Sequence, residues 1–422
     1  MAVDAAAEAI VDVEARVLGS VELQLAQRLG ERGSARVGLE DQDWVYAMVG
    51  RVVAEEHRLA GLGADRDASV AMWRRVYGAV TPLGPLAEFL ADPSVEEIRV
   101  NGTGTAYVLR DGRREEVPPP FPSEEALVEL VHWYTDGAGS ARLDRSSPMV
   151  TLTLPDGSRL HAALSPPARP LAVTIRRHVP SRFRELADLA QAGFLSAGSI
   201  PFLEAVVRSR LNVLVAGGTG TGKTTFVRTL CRLIPPTERL VTIEDQAELH
   251  LWRELPDCVS LEGRPANVEG RGAIGIPLLV HEALRMSPDR IVIGEVRGAE
   301  ALDLLDAMNT GHPGSICTIH SETPRDTLPR LARLALRNAA APRPEAISAE
   351  IARTVDLVLQ LGVSTEAGLR RRRLRSIGVV TEGPQGQPEV ADLAELHTLP
   401  ERVAAKLGAA GYDCSALLDW RR

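Results

Sequence analysis

Apolar positions fall into three successive rhythms along this chain, and each rhythm predicts a different kind of structure. Over the first 80 residues Val13, Val17, Val21 and Leu25 recur at helical spacing, and so do Val45, Val49, Val52 and Val53. This predicts a helical extension over 1–80, broken at Gly61-Leu62-Gly63. From residue 81 the period shortens. Residues 97–101 alternate like a strand, 106–110 and 113–117 flank an Asp111-Gly112 turn, 149–164 turns at Pro155-Asp156-Gly157, and 171–176 forms a further strand. Ser123 is placed to cap a helix whose first turn carries Glu124 and Glu125. These signals predict a smaller α+β N-terminal domain over 81–179, followed by a linker over 180–198.

From residue 199 short apolar runs alternate with helical stretches. The runs are 211–216, 239–243, 290–294, 315–319 and 355–361; the helices fall near 202–209, 223–233, 277–286, 299–309, 324–337 and 344–353. Such alternation predicts an α/β domain over 199–422, with a parallel sheet covered on both faces. Loops that hold ligands should leave the carboxyl ends of its strands.

The first of those runs leads into Gly217-Gly218-Thr219-Gly220-Thr221-Gly222-Lys223-Thr224-Thr225. Gly217, Gly222, Lys223 and Thr224 satisfy the G-x-x-x-x-G-K-[ST] pattern in its strand–turn–helix setting. Glycines let the backbone curl so that its amides form a nest for phosphate oxygens, and the following helix adds unpaired N–H groups. Lys223 is positioned for the β/γ-phosphates and the Thr224 hydroxyl for Mg²⁺. The chain has two lysines, Lys223 and Lys406, among 48 Lys and Arg. An arginine-rich chain thus keeps a compact ammonium at this position, where a planar guanidinium is bulkier. ATP with Mg²⁺ is the expected ligand.

Composition narrows the class. Net charge is −8, which argues against bulk affinity for nucleic acid. No apolar run approaches 18 residues and the N-terminus lacks a basic-then-apolar signal, so a cytoplasmic protein is expected. Cys231, Cys258, Cys317 and Cys414 form no CxxC pair and read as reduced thiols.

Three segments follow the glycine-rich loop, each at the end of an expected strand: Thr242-Ile243-Glu244-Asp245, Ile291-Val292-Ile293-Gly294-Glu295-Val296-Arg297, and Thr310 to His320. Phosphoryl transfer needs groups that hold Mg²⁺, orient a water and follow the γ-phosphate. Glu295 stands where a Walker B acid belongs, although no Asp precedes it, and Glu244 offers a second acid.

Loop, acid pair, acid and histidine, in that order, resemble the bacterial type II/type IV secretion ATPases. Thr242–Asp245 looks like their Asp box, Ile293-Gly294-Glu295-Val296-Arg297-Gly298 like their atypical Walker B, and Ala307-Met308-Asn309-Thr310-Gly311-His312 through His320 like their His box. Ala283-Leu284-Arg285-Met286 with Pro288-Asp289-Arg290, and Ser146-Ser147-Pro148-Met149 with Leu154 to Arg159, are similar to the CpaF-type ATPases of tight-adherence pilus assembly. The likeness spans roughly 90–362. The resemblance implies a hexameric ring of two-domain subunits, with a RecA-like C-terminal domain over which the N-terminal domain closes. It implies a motor for pilus assembly or protein secretion, working with an inner-membrane platform protein at the cytoplasmic face of the membrane. In that picture Glu295 polarises the attacking water, Glu244 assists at Mg²⁺ or the water, His320 senses the γ-phosphate, and Arg176 or Arg177 completes the site.

The chain departs from the family at Pro277-Leu278 and His281, at Pro313 and at Ser321-Glu322, which puts charge contacts between subunits in question. Two alternatives stay open, a RecA-type nucleic-acid translocase and a nucleotide-gated scaffold with little turnover. The run Arg370–Arg373 with Arg375 reads as a solvated strand edge, and Trp73, Trp133 and Trp252 as core residues.

Overall fold

The computed structural model describes residues 2–32, 42–60, 66–81, 86, 89–90, 92–110, 112–138, 142–154, 157–177, 183–264, 266, 271–366 and 369–418. The turn positions Gly61-Leu62-Gly63, Asp111 and Pro155-Asp156 lie outside them. The chain divides into two compact units, Met1–Val179 and Pro180–Arg422.

In the first unit α1 (Ala2–Arg32), α2 (Gln42–Leu59) and α3 (Arg66–Val80) pack on one another. Their stripe of Val13, Val17, Val21, Val45, Val49 and Val53 belongs to the same apolar cluster as Ile98, Val100, Val173 and Ile175 of a sheet. The helical extension and the α+β region therefore share one core. That sheet runs β3-β2-β1-β6-β5-β4 and is antiparallel throughout, from β1 (Val95–Asn101), β2 (Thr105–Arg110), β3 (Arg113–Val117), β4 (Met149–Thr153), β5 (Arg159–Ala163) and β6 (Ala172–Arg176). Helix α4 (Glu124–Ala138) starts on the expected cap, the Ala126 N–H donating to Ser123 Oγ at 3.2 Å.

The second unit takes in part of the segment read as a linker. Residues 183–195 carry α5 (Leu186–Gln191), and Leu186, Leu189, Phe194 and Leu195 are buried in the unit's core. Four apolar side chains in so short a stretch amount to a packing face, and burying them outweighs the freedom a linker would keep. The sheet here runs β14-β13-β12-β7-β11-β10-β8-β9. Six strands are mutually parallel: β7 (Val213–Ala216), β8 (Leu240–Glu244), β9 (Cys258–Glu262), β10 (Arg290–Val296), β11 (Ile316–Ile319) and β12 (Leu357–Glu366). Two antiparallel strands, β13 (Leu369–Glu382) and β14 (Pro388–Asp392), extend one edge.

Alternate residues of the central strands feed opposite faces, as a strand's period of two requires. Val213 and Val215 join a cluster with Phe202 of α6 (Ile200–Arg208), Phe226 of α7 (Lys223–Cys231) and Val403 of α12 (Glu401–Ala409). Leu214 and Ala216 join the opposite cluster, with residues of α8 (Ile276–Leu284), α9 (Glu300–Asn309), α10 (Pro324–Ala335) and α11 (Pro344–Thr354). All five expected strands and six expected helices of this region are present. Strands β9 and β14 have no counterpart in the sequence reading, and β13 only the arginine run read as a strand edge.

The amino end of the sheet is fastened by two polar residues. Asn212 Oδ1 accepts from the N–H groups of Gly314 (2.8 Å) and Ser315 (3.2 Å), and its Nδ2 donates to Thr354 O at 2.8 Å. Asp356, fully buried, accepts from the Asn212 N–H at 2.8 Å and pairs with Lys406 Nζ at 2.6 Å and Arg402 Nε at 3.2 Å. Removing one partner of a buried ion pair leaves an uncompensated charge. Lys406→Met is expected to cost about 2–4 kcal/mol of unfolding free energy, read from the denaturant midpoint; an unchanged midpoint would show that Arg402 alone satisfies Asp356.

Candidate active site

The carboxyl ends of β7, β11, β10 and β8 lie in one row, because these strands are parallel neighbours. Every residue of β7 is buried, so the strand is held on both faces as it delivers the chain to the loop. Gly222 caps α7 with φ 94°, a left-handed conformation that a side chain would strain. Lys223 Nζ donates to the carbonyl oxygens of Gly217 (2.9 Å) and Gly218 (3.0 Å). Burial pushes this ammonium's pKa down, and the Glu295 carboxylate acts in the opposite sense. Thr221 Oγ1 ties the loop by donating to Gly218 O at 2.9 Å, while Thr219 is exposed at its tip. A further support comes from β13, where Arg372 Nε donates to Gly220 O at 3.0 Å. The arginine run is thus more than a solvated edge: one of its members buttresses the loop.

In the first turn of α7, Thr225 is half-buried and Thr224 Oγ1 donates to Glu248 Oε2 at 3.1 Å. Glu248 is in turn held through its carbonyl by Arg228. Glu244, expected to assist at Mg²⁺ or the water, is occupied otherwise. Its buried carboxylate accepts from the N–H groups of Glu248 (3.1 Å) and Leu249 (3.1 and 3.3 Å), closing the turn that presents Glu248. Glu244 also accounts for the missing Walker B Asp. A Cβ on Gly294 would stand 2.8 Å from Glu244 Cγ, so a side chain from the neighbouring strand already fills that space.

Glu295 is brought to the same place with His320. Its Oε1 lies 2.9 Å from His320 Nε2, and its Oε2 accepts from an Arg297 NH2 group at 2.5 Å. Burial, followed by the charge of Lys223, lowers the His320 pKa, and the Glu295 carboxylate acts in the opposite sense. Arg297 also reaches Asp245 Oδ2 at 3.5 Å. The row therefore brings together Lys223, Thr224, Glu248, Glu295, Arg297 and His320. Arg176 and Arg177 belong to the other unit. There Arg176 ends β6 exposed, and Arg177 donates to the carbonyl oxygens of Phe89 (3.3 Å) and Asp92.

Glu248 and Arg297 escaped the sequence reading of roles. Glu248 follows Glu244 by four residues in a loop, where spacing carries no facing rule, and Arg297 stands beside an acid that drew all the attention. Trp252 also differs from expectation. It is 47% exposed, with the Arg253 guanidinium 4.9 Å from its ring centroid, whereas Trp133 is buried.

Comparison with known proteins gives the family of the chain. The family described as type II/IV secretion system protein matches residues 80–374. A Mycobacterium tuberculosis H37Rv protein named for conjugal transfer is 36% identical over 312 residues, covering 72% of this chain and 86% of that one. VirB11 of Agrobacterium fabrum is 35% identical over 268 residues, covering 57% of this chain and 76% of its own length. Among solved structures, the Legionella pneumophila ATPase DotB shares the fold, with a TM-score of 0.50 at 19% identity over 72% of this chain and 82% of that one. The second unit is thus a RecA-like nucleotide-binding domain, and the chain belongs to the type II/IV secretion ATPase family and is an ATPase.

Proposed function

We propose that this chain is an Mg²⁺-dependent motor of the CpaF-like branch, assembled as a hexamer at the cytoplasmic face of a membrane, and that it drives pilus assembly or protein secretion through an inner-membrane platform protein. The observation that carries the reading is the single row of strand ends bearing Lys223, Thr224, Glu295 and His320. No helix among the described residues is long and apolar enough to cross a membrane, so attachment falls to a partner. Relatives named for conjugal transfer support a role in moving a macromolecule across an envelope.

ATP binds with its phosphates in the 217–225 nest. Lys223 exchanges the carbonyls of Gly217 and Gly218 for phosphate oxygens, and its ammonium stabilises charge that develops there in the transition state. Glu295 orients and polarises the attacking water. His320, adjacent to Glu295, donates to the γ-phosphate and reports its presence. Arg176 or Arg177, supplied from an N-terminal unit, adds positive charge to the same phosphate.

The residues fit Mg²⁺. Thr224, Glu248 and Glu295 offer hard oxygen donors, and Glu295 Oε1 is a buried oxygen that lacks a well-directed hydrogen bond. Among the described residues no cluster of three or more acidic, histidine or cysteine ligands exists. This suits an ion that takes one or two protein ligands and otherwise phosphates and water. Thr224 and Glu248 would hold it, with Glu295 beside them and Glu244 supporting Glu248. The ion supplies charge neutralisation at the β- and γ-phosphate oxygens.

Lys223→Ala should cost orders of magnitude in phosphate release, and near-normal hydrolysis would refute the nest as the site. Glu295→Gln should retain ATP binding while turnover falls by roughly 10²–10⁴-fold; normal turnover would move the acid's role elsewhere. Glu244 makes a pH prediction. Burial pushes its carboxyl up to about 7 from an ordinary 4.5. The folded state therefore holds this proton to higher pH than the unfolded chain does. Its contribution to stability is full below pH 4.5 and is lost as pH rises through about 7. Glu244→Gln should accordingly gain on the parent as pH is raised from about 5 to about 8, by an amount of order 3 kcal/mol. Denaturant midpoints across that range decide it, and a pH-independent difference would discard the buried-acid account.

A further inference from the structure

Arg297 is the charged residue of the row to which the reading above gives no task. One NH2 group donates to Glu295 Oε2 at 2.5 Å, and NH1 lies 3.5 Å from Asp245 Oδ2 in the loop after β8. Its main chain is tethered on both sides. The Arg297 N–H donates to the buried Glu300 Oε1 at 2.6 Å, as does the Gly298 N–H at 2.7 Å, and the Arg297 carbonyl accepts from Arg337 NH1 at 3.2 Å. The root of this side chain is therefore held while its head spans two strand ends.

The two oxygens of Glu295 have unlike partners. Oε2 meets a guanidinium, permanently charged and presenting a rigid fork. Oε1 lies 2.9 Å from His320 Nε2 without a well-directed hydrogen bond, so it is the less firmly held of the two. A glutamate's terminal torsion is broad, and a carboxylate free to rotate about it presents no fixed lone pair to a water. Orienting a nucleophile demands that this freedom be removed. The other charged neighbours, Lys223 from α7 and Glu248 and Asp245 after β8, contact neither Glu295 oxygen within hydrogen-bond distance among the described residues.

We propose that Arg297 is the positioning residue of the reaction: it grips Oε2, fixes the plane of the Glu295 carboxylate, and leaves Oε1 as the oxygen that faces the attacking water once His320 turns to the γ-phosphate. Asp245 is the second anchor, keeping the guanidinium fork from following Glu295 if that side chain moves. The inference rests on the assignment of Glu295 above. It also sets Arg297 apart from an ordinary surface pair. Its side chain is 62% exposed, and exposed pairs contribute little to stability. Loss of the arginine should therefore be felt in turnover and hardly at all in folding.

The test uses the full chain with steady-state and single-turnover phosphate release, equilibrium binding of fluorescent ADP, and thermal unfolding. Arg297→Ala should lower kcat about 10- to 100-fold, with KM, ADP affinity and the unfolding midpoint nearly unchanged. Arg297→Lys, which can reach one anchor but not both, should fall between. In a Glu295→Gln background the Arg297→Ala change should produce no further loss, since the group it positions is already disabled. Full turnover in Arg297→Ala overturns the proposal. So does a rise in turnover, which would make Arg297 a brake, and so does an equal fold-loss in the Glu295→Gln background, which would make it a strut. Normal turnover in Glu295→Gln alone would instead strike the assignment of Glu295, so the two failures are separable.

Discussion

Parallel register across β7, β11, β10 and β8 is the constraint on which the site depends. Strands in a sheet lie about 4.8 Å apart, so four parallel neighbours place their last residues within reach of one triphosphate. An antiparallel partner anywhere in that run would have carried its loop to the opposite edge. The constraint is enforced from the far end. Asn212 bonds to the residues leading into β11 and to Thr354 ahead of β12, while Asp356 joins Asn212 to helix α12. The polar fastening and the chemistry thus occupy opposite ends of the same strands, and the amino end can be rigid without restricting what the carboxyl end does.

Within the row, space is divided as tightly as charge. Glu244 projects from β8 into the volume that a Walker B Asp would take, and Gly294 is the residue that permits it. A carboxylate placed there from the neighbouring strand cannot serve as an Asp from β10 would, because backbone amides of Glu248 and Leu249 already hold it. What it does is set the turn that offers Glu248 to Thr224. Gly294 and the acid on the next strand are therefore two halves of a single packing solution. The atypical Walker B segment is intelligible only with both strands in view.

That division explains which parts were legible in the sequence. The 217–225 loop was, because its pattern is local and its neighbours in sequence are its neighbours in space. The five central strands were, because burial on both faces makes each a predominantly apolar run. Legibility failed where a role depends on a residue from another strand. Glu248 gains its role from Thr224, Arg297 from Glu295 and Asp245, and Arg372 from Gly220. Strand β13 was legible only as a strand edge for a related reason: its first half is a charge run without alternation, held in the sheet by the pairings of Leu369 to Leu374 with β12 rather than by an apolar face. Residues 180–198 read as a connector, yet Phe194 packs with its ring centroid 5.4 Å from that of Phe226.

The use of arginine and lysine follows one physical logic through the whole unit. Guanidinium groups repeatedly brace main-chain carbonyls: Arg232 at Phe183, Arg239 at Met286, Arg290 at Val207, Arg372 at Gly220, Arg402 at Ala352 and Val355. A fork with five donors suits that work, since it can hold a carbonyl and a carboxylate together, as Arg290 does with Val207 and Glu238. The two lysines are used differently. Lys406 presents a point charge to the buried Asp356. Lys223 sits over two loop carbonyls at 2.9 and 3.0 Å. In the binding mode proposed above a phosphate oxygen takes the place of those carbonyls on the ammonium, an exchange that a compact point charge makes more simply than a planar fork.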